Sequence, residues 1–296
     1  MEEEPLITEQ ANPRSQGIDQ MSTLEILRTI NTEDQGVAYR IVQALPQIEK
    51  AVDAITASIE SGGRLIYAGA GTSGRLGMLD AAECVPTYGT PPELVQCVMA
   101  GGLKALVQAA EGAEDDRAAA RANLAAIQLG SRDMLVGIAA SGTTPYVLEA
   151  VAYATELGAG TVGIACNDPA PLLEAVQIPI GVPVGPEVVA GSTRMKAGTA
   201  QKLVLNMIST ATMIRLGKVY GNLMVDVKVT NAKLLTRARK LVAQIADVDM
   251  ERAADLLAQA NNEVKTAVVM QRKQVDVETA RSLLAQAGGH LRTVIG

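Results

Sequence analysis

The stretch LIYAGAGTSGR at residues 65–75 joins a short apolar run to a loop rich in glycine and hydroxyl residues. Further apolar runs follow along the chain, each bounded by Gly, Pro or Asn, at residues 94–98, 134–138, 161–165 and 178–180. Helical stretches separate these runs, and strands that alternate with helices indicate βαβ units and a parallel sheet. We therefore predict an α/β fold in which helices cover both faces of a parallel sheet. Pro179 places the last strand at an edge, because proline cannot donate a ladder hydrogen bond.

Helical patterns lie on both sides of this α/β core. Ser22 and Glu25 fit a capping box ahead of an apolar pattern with helical spacing, which Pro46 should divide or kink. A long helix is predicted from about residue 194 to 216, and beyond residue 230 the short helical stretches predict about three helices. The predicted domains are an N-terminal helical segment at 1–60, the α/β domain at 61–230 and a small all-helical C-terminal domain at 231–296.

The charge balance and the aromatic content argue against nucleic-acid binding. The 26 basic and 32 acidic residues give a net charge of −6, so no broad basic field is available to neutralise phosphates. Residues 1–60 hold four Lys or Arg and eleven Asp or Glu, which makes this segment a poor DNA reader. The chain has no Phe and no Trp, which removes most platforms for base stacking.

The sequence also predicts no membrane contact and no metal site. The N-terminus has no apolar signal region, and no run of about 18 apolar residues occurs, so we expect a cytoplasmic protein. One His and three Cys, at positions 84, 97 and 166, barely supply the ligands that a zinc site needs. The odd number of cysteines, without a CxxC pair, argues against a disulfide framework.

Three loops rich in Gly and hydroxyls follow predicted strands, at residues 69–75, 141–144 and 185–194. In open parallel sheets, ligands bind beyond the carboxyl ends of the strands. Glycine lets the backbone approach a ligand, and helix N-termini present free N–H groups to phosphate oxygens. Any one loop is explained equally well as a turn. Together they predict a phosphate or sugar-phosphate site, with candidate residues Thr72, Ser73, Ser141, Gly142, Thr143 and Ser192.

The first loop matches GxGxxG literally, at Gly69, Gly71 and Gly74. This motif would suggest NAD or FAD, but it requires an acidic residue at the end of the next strand to bind the ribose. That strand ends in Met99-Ala100-Gly101-Gly102, so the partner is missing. We therefore expect no dinucleotide cofactor.

Charged residues near the loops are candidates for catalysis and binding. Glu83 lies among small apolar residues in the helix that the first loop opens, which suits a proton donor, and Glu114 lies in an acidic segment. An exposed helix position explains Glu83 as well, and a solvated helix start explains Glu114. Glu187, between Pro186 and a valine, is harder to explain as a solvated residue and is a candidate for substrate binding. Lys196 either balances surface charge or binds a phosphate or carboxylate.

Several blocks of this sequence resemble the N-acetylmuramic acid 6-phosphate etherases. The blocks cover nearly the whole chain and comprise Thr8-Glu9, Asn12–Ser22, Gly69–Gly77, Asp80–Cys84, Glu111–Asp115, Gly137–Tyr146, Gly191–Lys202 and Gly221–Asp226. The resemblance implies a sugar isomerase (SIS) domain with a helical C-terminal part, acting as a homodimer without a cofactor. It also implies that Glu83 is the proton donor and Glu114 the second catalytic acidic residue.

The implied reaction is cleavage of the lactyl ether of N-acetylmuramic acid 6-phosphate to N-acetylglucosamine 6-phosphate and D-lactate, in cell-wall sugar recycling. The expected partner is therefore a small sugar phosphate. Two alternatives remain: an aldose–ketose isomerase of sugar phosphates, which would share the first proton abstraction, and a non-catalytic sugar-phosphate sensor related to the glucokinase regulatory protein. The roles of His290 and of the C-terminal helices stay open.

Overall fold

The structure is a computed structural model that describes residues 6–108, 110 and 112–296. Residues 1–5 of the predicted N-terminal segment, and Glu111 of the acidic block, lie outside the described residues. The chain divides into two compact units: the first runs to Ala81 and continues with Glu93–Ser209, and the second comprises Ala82–Pro92 and Thr210–Gly296. The sequence-based domain boundaries at 60/61 and 230/231 stay a prediction.

The first unit contains a parallel sheet built from the five predicted apolar runs. Its strands are Leu65–Gly69 (β1), Val95–Met99 (β2), Met134–Ile138 (β3), Gly160–Ala165 (β4) and Ile178–Gly181 (β5). Their order is β2-β1-β3-β4-β5, and every neighbouring pair is parallel. Every residue of β1 and of β3 is buried, which explains why these strands are continuous apolar runs rather than alternating patterns. The prediction that Pro179 lies on an edge strand is confirmed.

The helices that begin in the first unit follow the order that the sequence predicts. They are Thr23–Ile41 (α1), Leu45–Glu60 (α2), Gly71–Tyr88 (α3), Arg117–Ala126 (α4), Pro145–Glu156 (α5), Pro171–Glu174 (α6) and Lys196–Arg215 (α7). Short 3-10 turns lie at Ile7–Glu9, Pro13–Ser15, Ile18–Gln20, Val42–Ala44, Gly102–Leu106 and Ala113–Asp115. No helix of the described residues is long and apolar enough to cross a membrane.

Local sequence signals set the limits of α1 and α2. The Glu25 side chain accepts a hydrogen bond from the Ser22 N–H (2.8 Å), and the Ser22 hydroxyl oxygen accepts one from the Glu25 N–H (3.4 Å), which confirms the capping box. Pro46 lies in the first turn of α2, where its missing N–H leaves no helical bond unmade. The predicted interruption at Pro46 is therefore confirmed as a division into two helices joined by a 3-10 turn.

The strand order determines where a crevice forms. The chain leaves β1 toward β2 on one side, and it returns to place β3 on the other side of β1. The connections after β1 and after β3 therefore diverge, and they leave a crevice above the carboxyl ends of these two strands.

The second unit is mainly helical. It contains a short antiparallel pair, Val219–Tyr220 (β6) and Leu223–Met224 (β7), and the helices Ala232–Ala246 (α8), Met250–Gln259 (α9), Val264–Lys273 (α10), Val277–Gln286 (α11) and Leu291–Ile295 (α12). The sequence-based estimate of three helices was wrong for these residues, because the helices are short and closely spaced. Side chains of Asn231, Asp249 and Asp276 cap the N-termini of α8, α9 and α11, so these polar residues mark the starts of separate helices.

Candidate active site

A cleft of about 540 Å³ lies at the carboxyl ends of β1 and β3, where the strand order places the crevice. Its described lining comes entirely from the first unit. The lining residues are Leu6, Glu9, Ala70–Ser73, Glu114, Asp115, Ile138, Ala140, Ser141, Thr143–Pro145 and Thr193. Hydroxyl groups and carboxylates dominate the polar part of this set, so the cleft suits a polar ligand rather than an apolar one.

The glycines of the first loop have different physical roles. A Cβ on Gly69 would lie 2.7 Å from the Gly74 nitrogen, and a Cβ on Gly74 would lie 2.7 Å from the Gly69 carbonyl oxygen, so β1 and α3 approach too closely for any side chain. Gly71 adopts a positive φ of 52°, and a Cβ there would meet no atom within 4 Å. Gly69 and Gly74 are therefore required by the close packing of β1 against α3. Gly71 is favoured by its positive φ at the wall of the cleft.

The start of α3 presents hydrogen-bond donors at this wall. The Gly74 N–H is bonded to the Ala70 carbonyl (3.0 Å), so the N–H groups of residues 71–73 precede the first helical bond. The side chains of Thr72 and Ser73 line the cleft beside them. The hydroxyl of Ser73 is nearly buried and donates a hydrogen bond to Oε1 of Gln201 on α7 (2.9 Å).

The loop after β3 forms the facing wall. The Ser141 Oγ accepts hydrogen bonds from the Thr143 N–H (3.1 Å) and from the Thr143 hydroxyl (2.9 Å), so the two hydroxyls are held together. Gly142 is buried between them with φ of 75°, and a Cβ there would lie 2.5 Å from the Ala170 Cβ. Gly142 therefore shapes the turn that presents Ser141 and Thr143 to the cleft.

Asn167, just beyond β4, ties this loop to the N-terminal segment. Its buried side-chain amide donates to the carbonyl of Ser141 (3.1 Å) and to the hydroxyl of Thr8 (3.0 Å), while its Oδ1 accepts from the Thr8 N–H (3.2 Å). Thr8 is fully buried, and its carbonyl accepts from the Gly191 N–H (3.3 Å). These bonds place Leu6 and Glu9 on the cleft wall.

Glu114 is the predicted catalytic carboxylate that lines the cleft. It lies in the 3-10 turn Ala113–Asp115, is exposed, and has Asp115 beside it in the lining. An adjoining pocket of about 190 Å³ shares Ala70, Gly71 and Glu114 with the cleft and also contacts Arg75. Arg75 thus shares this small pocket with Glu114, and its Nε donates a hydrogen bond to the Leu106 carbonyl (3.2 Å).

Glu83, the other predicted catalytic carboxylate, lies on α3, ten residues beyond Ser73. It is exposed and belongs to the second unit, whereas every described residue of the cleft lining belongs to the first unit. Its predicted role as a proton donor stays a prediction.

Glu187 and Lys196, which the sequence proposes as substrate ligands, are bound within the protein. The fully buried Glu187 carboxylate accepts hydrogen bonds from the backbone N–H groups of Lys196 (3.0 Å) and Ala197 (2.9 Å) at the start of α7. The buried Lys196 ammonium forms an ion pair with Glu33 of α1. Ser192 donates its N–H to the Val189 carbonyl (2.9 Å) in a turn. The third loop contributes Thr193 to the described cleft lining in place of these three residues.

Hydrogen bonds and a nearby positive charge lower the pKa of Glu33. Burial opposes its ionisation, but hydrogen bonds from Lys196, Asn12 and Arg14, together with the Lys196 charge, hold its pKa below the ordinary value. The Asn12 amide also donates to the Pro186 carbonyl (3.0 Å). This network fastens the N-terminal segment and α1 to the start of α7.

Asp80, from one of the blocks that carry the resemblance, acts inside the first unit. It accepts hydrogen bonds from the hydroxyls of Tyr67 on β1 (2.8 Å) and Ser209 on α7 (2.9 Å). Burial raises its pKa, against the effect of these bonds and of Lys202. Asp80 therefore connects α3 to both elements.

Cysteine chemistry has little support at this site. Burial raises the pKa of the Cys97 thiol to about 12, and burial together with the Glu187 charge does the same for Cys166. Such thiols carry almost no thiolate near neutral pH. Among the described residues, no group of three or more His, Cys, Asp or Glu side chains is placed to hold a metal ion.

Several lining residues were missed by sequence reasoning: Leu6, Glu9, Asp115, Thr144, Pro145 and Thr193. Thr144 and Thr193 lie within predicted loops but were not singled out there, and Pro145 directly follows the loop at 141–144. The signal for Glu9 was present only as part of the resemblance, in Thr8-Glu9. Nothing local to residues 6–9 indicates that a segment so distant in sequence reaches the sheet.

Comparisons with known proteins agree with this geometry. Residues 47–155 match the glucokinase regulatory protein N-terminal SIS domain, and residues 221–279 match the C-terminal lid domain of the same protein. A phosphoheptose isomerase from Francisella tularensis superposes with a TM-score of 0.53 at 18% identity, over 66% of this chain and 100% of that chain. The predicted SIS fold with a helical C-terminal part is confirmed.

The sequence relatives are more specific. An N-acetylmuramic acid 6-phosphate etherase of Aeromonas hydrophila is 57% identical over 265 residues, covering 90% of this chain and 89% of the relative. One from Geobacillus thermodenitrificans is 53% identical over 267 residues, covering 90% of each chain. Identity at this level over nearly the full length of both proteins is decisive: the chain belongs to the family of N-acetylmuramic acid 6-phosphate etherases.

Proposed function

We propose that this protein is a carbon–oxygen lyase that cleaves the D-lactyl ether of N-acetylmuramic acid 6-phosphate, giving N-acetylglucosamine 6-phosphate and D-lactate. The observation that carries the proposal is the cleft at the β1/β3 crevice, which hydroxyl residues from two strand-end loops line together with Glu114. Its volume of about 540 Å³ falls in the range of small-molecule sites. The family of the sequence relatives supports the same activity.

The phosphate of the substrate would bind to Thr72, Ser73, Ser141 and Thr143. The N–H groups of residues 71–73 add donors at the positive end of the α3 dipole, which favours an anion. The described lining contains no lysine or arginine, so these neutral donors carry the binding inside the cleft. The carboxylates Glu9, Glu114 and Asp115 repel the phosphate, and this repulsion orients the sugar in the cleft.

The chemistry needs two proton transfers beside a carbonyl group. Opening of the sugar ring exposes the C1 aldehyde, which acidifies the proton on C2. Glu114, which lines the cleft, would remove that proton as a base, and the C3–O bond would break as the lactate oxygen takes a proton from an acid, the role that the family resemblance implies for Glu83. Water then adds its hydroxyl to C3 and its proton to C2 of the unsaturated aldehyde.

The direct test is incubation with N-acetylmuramic acid 6-phosphate in H₂¹⁸O. We expect D-lactate in stoichiometric amount and one ¹⁸O atom in the sugar product, because cleavage occurs between C3 and oxygen. Formation of a ketose without lactate would identify an isomerase instead. Tight binding of the substrate without any product would identify a sensor.

Variants Glu83→Gln and Glu114→Gln separate the two assigned roles. Each should lower turnover at least about a hundredfold while the protein stays folded. An isotope experiment distinguishes them: in D₂O, exchange of the C2 proton should vanish in the Glu114 variant and persist in the Glu83 variant. Near-normal turnover in either variant would remove that residue from the mechanism.

We further propose that the protein acts as a cytoplasmic homodimer, as the family resemblance implies. A phosphorylated substrate does not cross a lipid bilayer unaided, so an enzyme that uses it works where the phosphate is added. Light scattering coupled to gel filtration would measure the mass against the 30.9 kDa of one chain. A mass of one chain at micromolar concentration would refute the dimer.

A further inference from the structure

Gln201 on α7 contacts the cleft residue Ser73 but is itself buried, with an amide nitrogen that no described group satisfies. Its side chain is almost fully buried, and its Oε1 accepts the hydroxyl proton of Ser73 (2.9 Å). Its Nε2 is also buried and has no hydrogen-bond partner among the described residues. A buried amide nitrogen without a partner is costly, so this arrangement calls for a physical reason.

The direction of the Ser73 bond has a consequence for ligand binding. A serine hydroxyl has one proton to donate, and here that proton points to Gln201. Ser73 therefore presents only lone pairs to the cleft, which an anionic ligand oxygen would not favour. In this orientation the hydroxyl opposes the function that its position at the start of α3 suggests.

Rotation of the Gln201 amide by 180° reverses this bond. The Nε2 group would then donate to the Ser73 oxygen, and the Ser73 hydroxyl would be free to donate into the cleft. After the rotation the amide oxygen, rather than the amide nitrogen, lacks a hydrogen-bond partner. Without a bound anion, the two orientations therefore differ little in free energy. An anion that accepts the Ser73 proton adds a charge-assisted hydrogen bond, and the chain of donors polarises in one direction.

We propose that Gln201 is a positioning residue that switches Ser73 from a donor toward α7 into a donor toward the substrate phosphate. The proposal rests on the proposed function for the identity of the anion, but the switch itself concerns any phosphate group in the cleft. Gln201 does not line the described cleft and acts only through Ser73.

Binding of inorganic phosphate, followed by NMR of glutamine side-chain amides, tests the switch without catalysis. The Gln201 signal is assigned by its loss in Gln201→Met, a substitution of similar length without polar atoms. We expect phosphate to shift the Gln201 amide signal in the wild-type protein and not in Ser73→Ala. An unchanged signal at saturating phosphate, or the same shift in the serine variant, would overturn the proposal.

A double-mutant cycle on lactate release gives the second test. Gln201→Met should raise KM several-fold with a smaller change in kcat, because the Ser73 oxygen loses the Nε2 donor that orients its hydroxyl toward the phosphate and polarises it. In the Ser73→Ala background the same substitution should have almost no further effect. Asn206→Leu, a half-buried amide further along α7, is the matched control and should leave KM unchanged.

Equal effects of Gln201→Met in both backgrounds would show a merely structural role and refute the switch. Gln201→Glu keeps an acceptor for Ser73 but cannot donate when ionised, so it should weaken phosphate binding at least as much as methionine. A protonated glutamate could still donate to Ser73, so a glutamate variant whose KM stays normal from neutral to alkaline pH would likewise refute the proposal. Absence of lactate release by the wild-type protein would refute the proposed function alone, since the NMR arm still reports on the switch.

Discussion

The carboxylate of Glu187 offers a sharp test of how burial and helix capping decide the role of a residue. The sequence favours Glu187 as a substrate ligand, whereas the structure shows its two oxygens accepting the N–H groups of Lys196 and Ala197 at 3.0 and 2.9 Å. Glu187→Gln keeps the shape and one acceptor oxygen. It removes the charge and turns an NH₂ group toward the second backbone N–H.

The expected cost follows from these two contacts. One buried N–H without an acceptor costs about 1–3 kcal/mol, and loss of a buried charge at a helix N-terminus costs up to about 2 kcal/mol. We expect the free energy of unfolding to fall by roughly 2–4 kcal/mol in all, because the charge effect and the lost hydrogen bond partly overlap. For a domain of this size, that corresponds to a fall in melting temperature of roughly 4–16 °C.

Circular dichroism during heating would measure the melting temperature, and D-lactate release would give KM. We expect a lower melting temperature and a KM within about twofold of wild type, because Glu187 contacts backbone rather than the cleft. Glu93→Gln, at an exposed position, is the control and should change neither quantity. An unchanged melting temperature with a clearly raised KM would refute the capping role and restore Glu187 as a ligand.

The other predictions test the cleft and the acid stability of the first unit. Ser141→Ala should raise KM about tenfold for the phosphorylated sugar, because a donor to the phosphate is lost; an unchanged KM would place the phosphate elsewhere. Gly142→Ala should lower both stability and affinity, because a Cβ would lie 2.5 Å from the Ala170 Cβ at a φ of 75°; a stable variant with normal KM would contradict this close packing. Burial opposes ionisation of Asp133, but hydrogen bonds from Arg64 and the Gly130 N–H, with the Arg64 charge, hold its pKa below the ordinary value. Its contribution to stability is therefore present above about pH 4 and lost as the pH falls further. Asp133→Asn should lower the melting temperature at neutral pH and reduce the further decrease of the melting temperature in acid. If the melting temperatures of the two proteins fell by the same amount from pH 6 to 3, that linkage would be contradicted.

The sequence predicted the sheet well because its signals are local. Buried parallel strands must be continuously apolar, and the five runs at residues 65–68, 94–98, 134–138, 161–165 and 178–180 are bounded by residues that break strands. All five coincide with strands of the structure. The capping box at Ser22 is equally local, because all its atoms lie within one helical turn.

The same reasoning was less reliable for the helical second unit. Its helices are ten residues or so in length, with capping residues close together, so the apolar pattern of one helix runs into the next. Short amphipathic helices are held mainly by tertiary packing, which a local pattern does not contain.

The site divides in a similar way between local sequence and tertiary structure. Residues 69–75 and 141–144 were recognisable because glycine and hydroxyl residues directly after a strand lie at the sheet edge where ligands bind. Whether a neighbouring polar residue faces the cleft depends instead on its partners. Glu187 is paired with a helix start nine residues further along the chain, whereas Lys196 is paired with Glu33, 163 positions away.

The amino-acid sequence by itself thus determined the α/β class, the strands, the strand-end loops and, through resemblance, the etherase family. Only the tertiary structure decided which polar residues line the cleft, because that choice depends on contacts across more than a hundred residues of chain. Glu9 reaches the site because the Thr8 N–H and hydroxyl bind Asn167, 159 positions away. Local propensity and periodicity extend over a few turns at most, so they carry no information about such a contact.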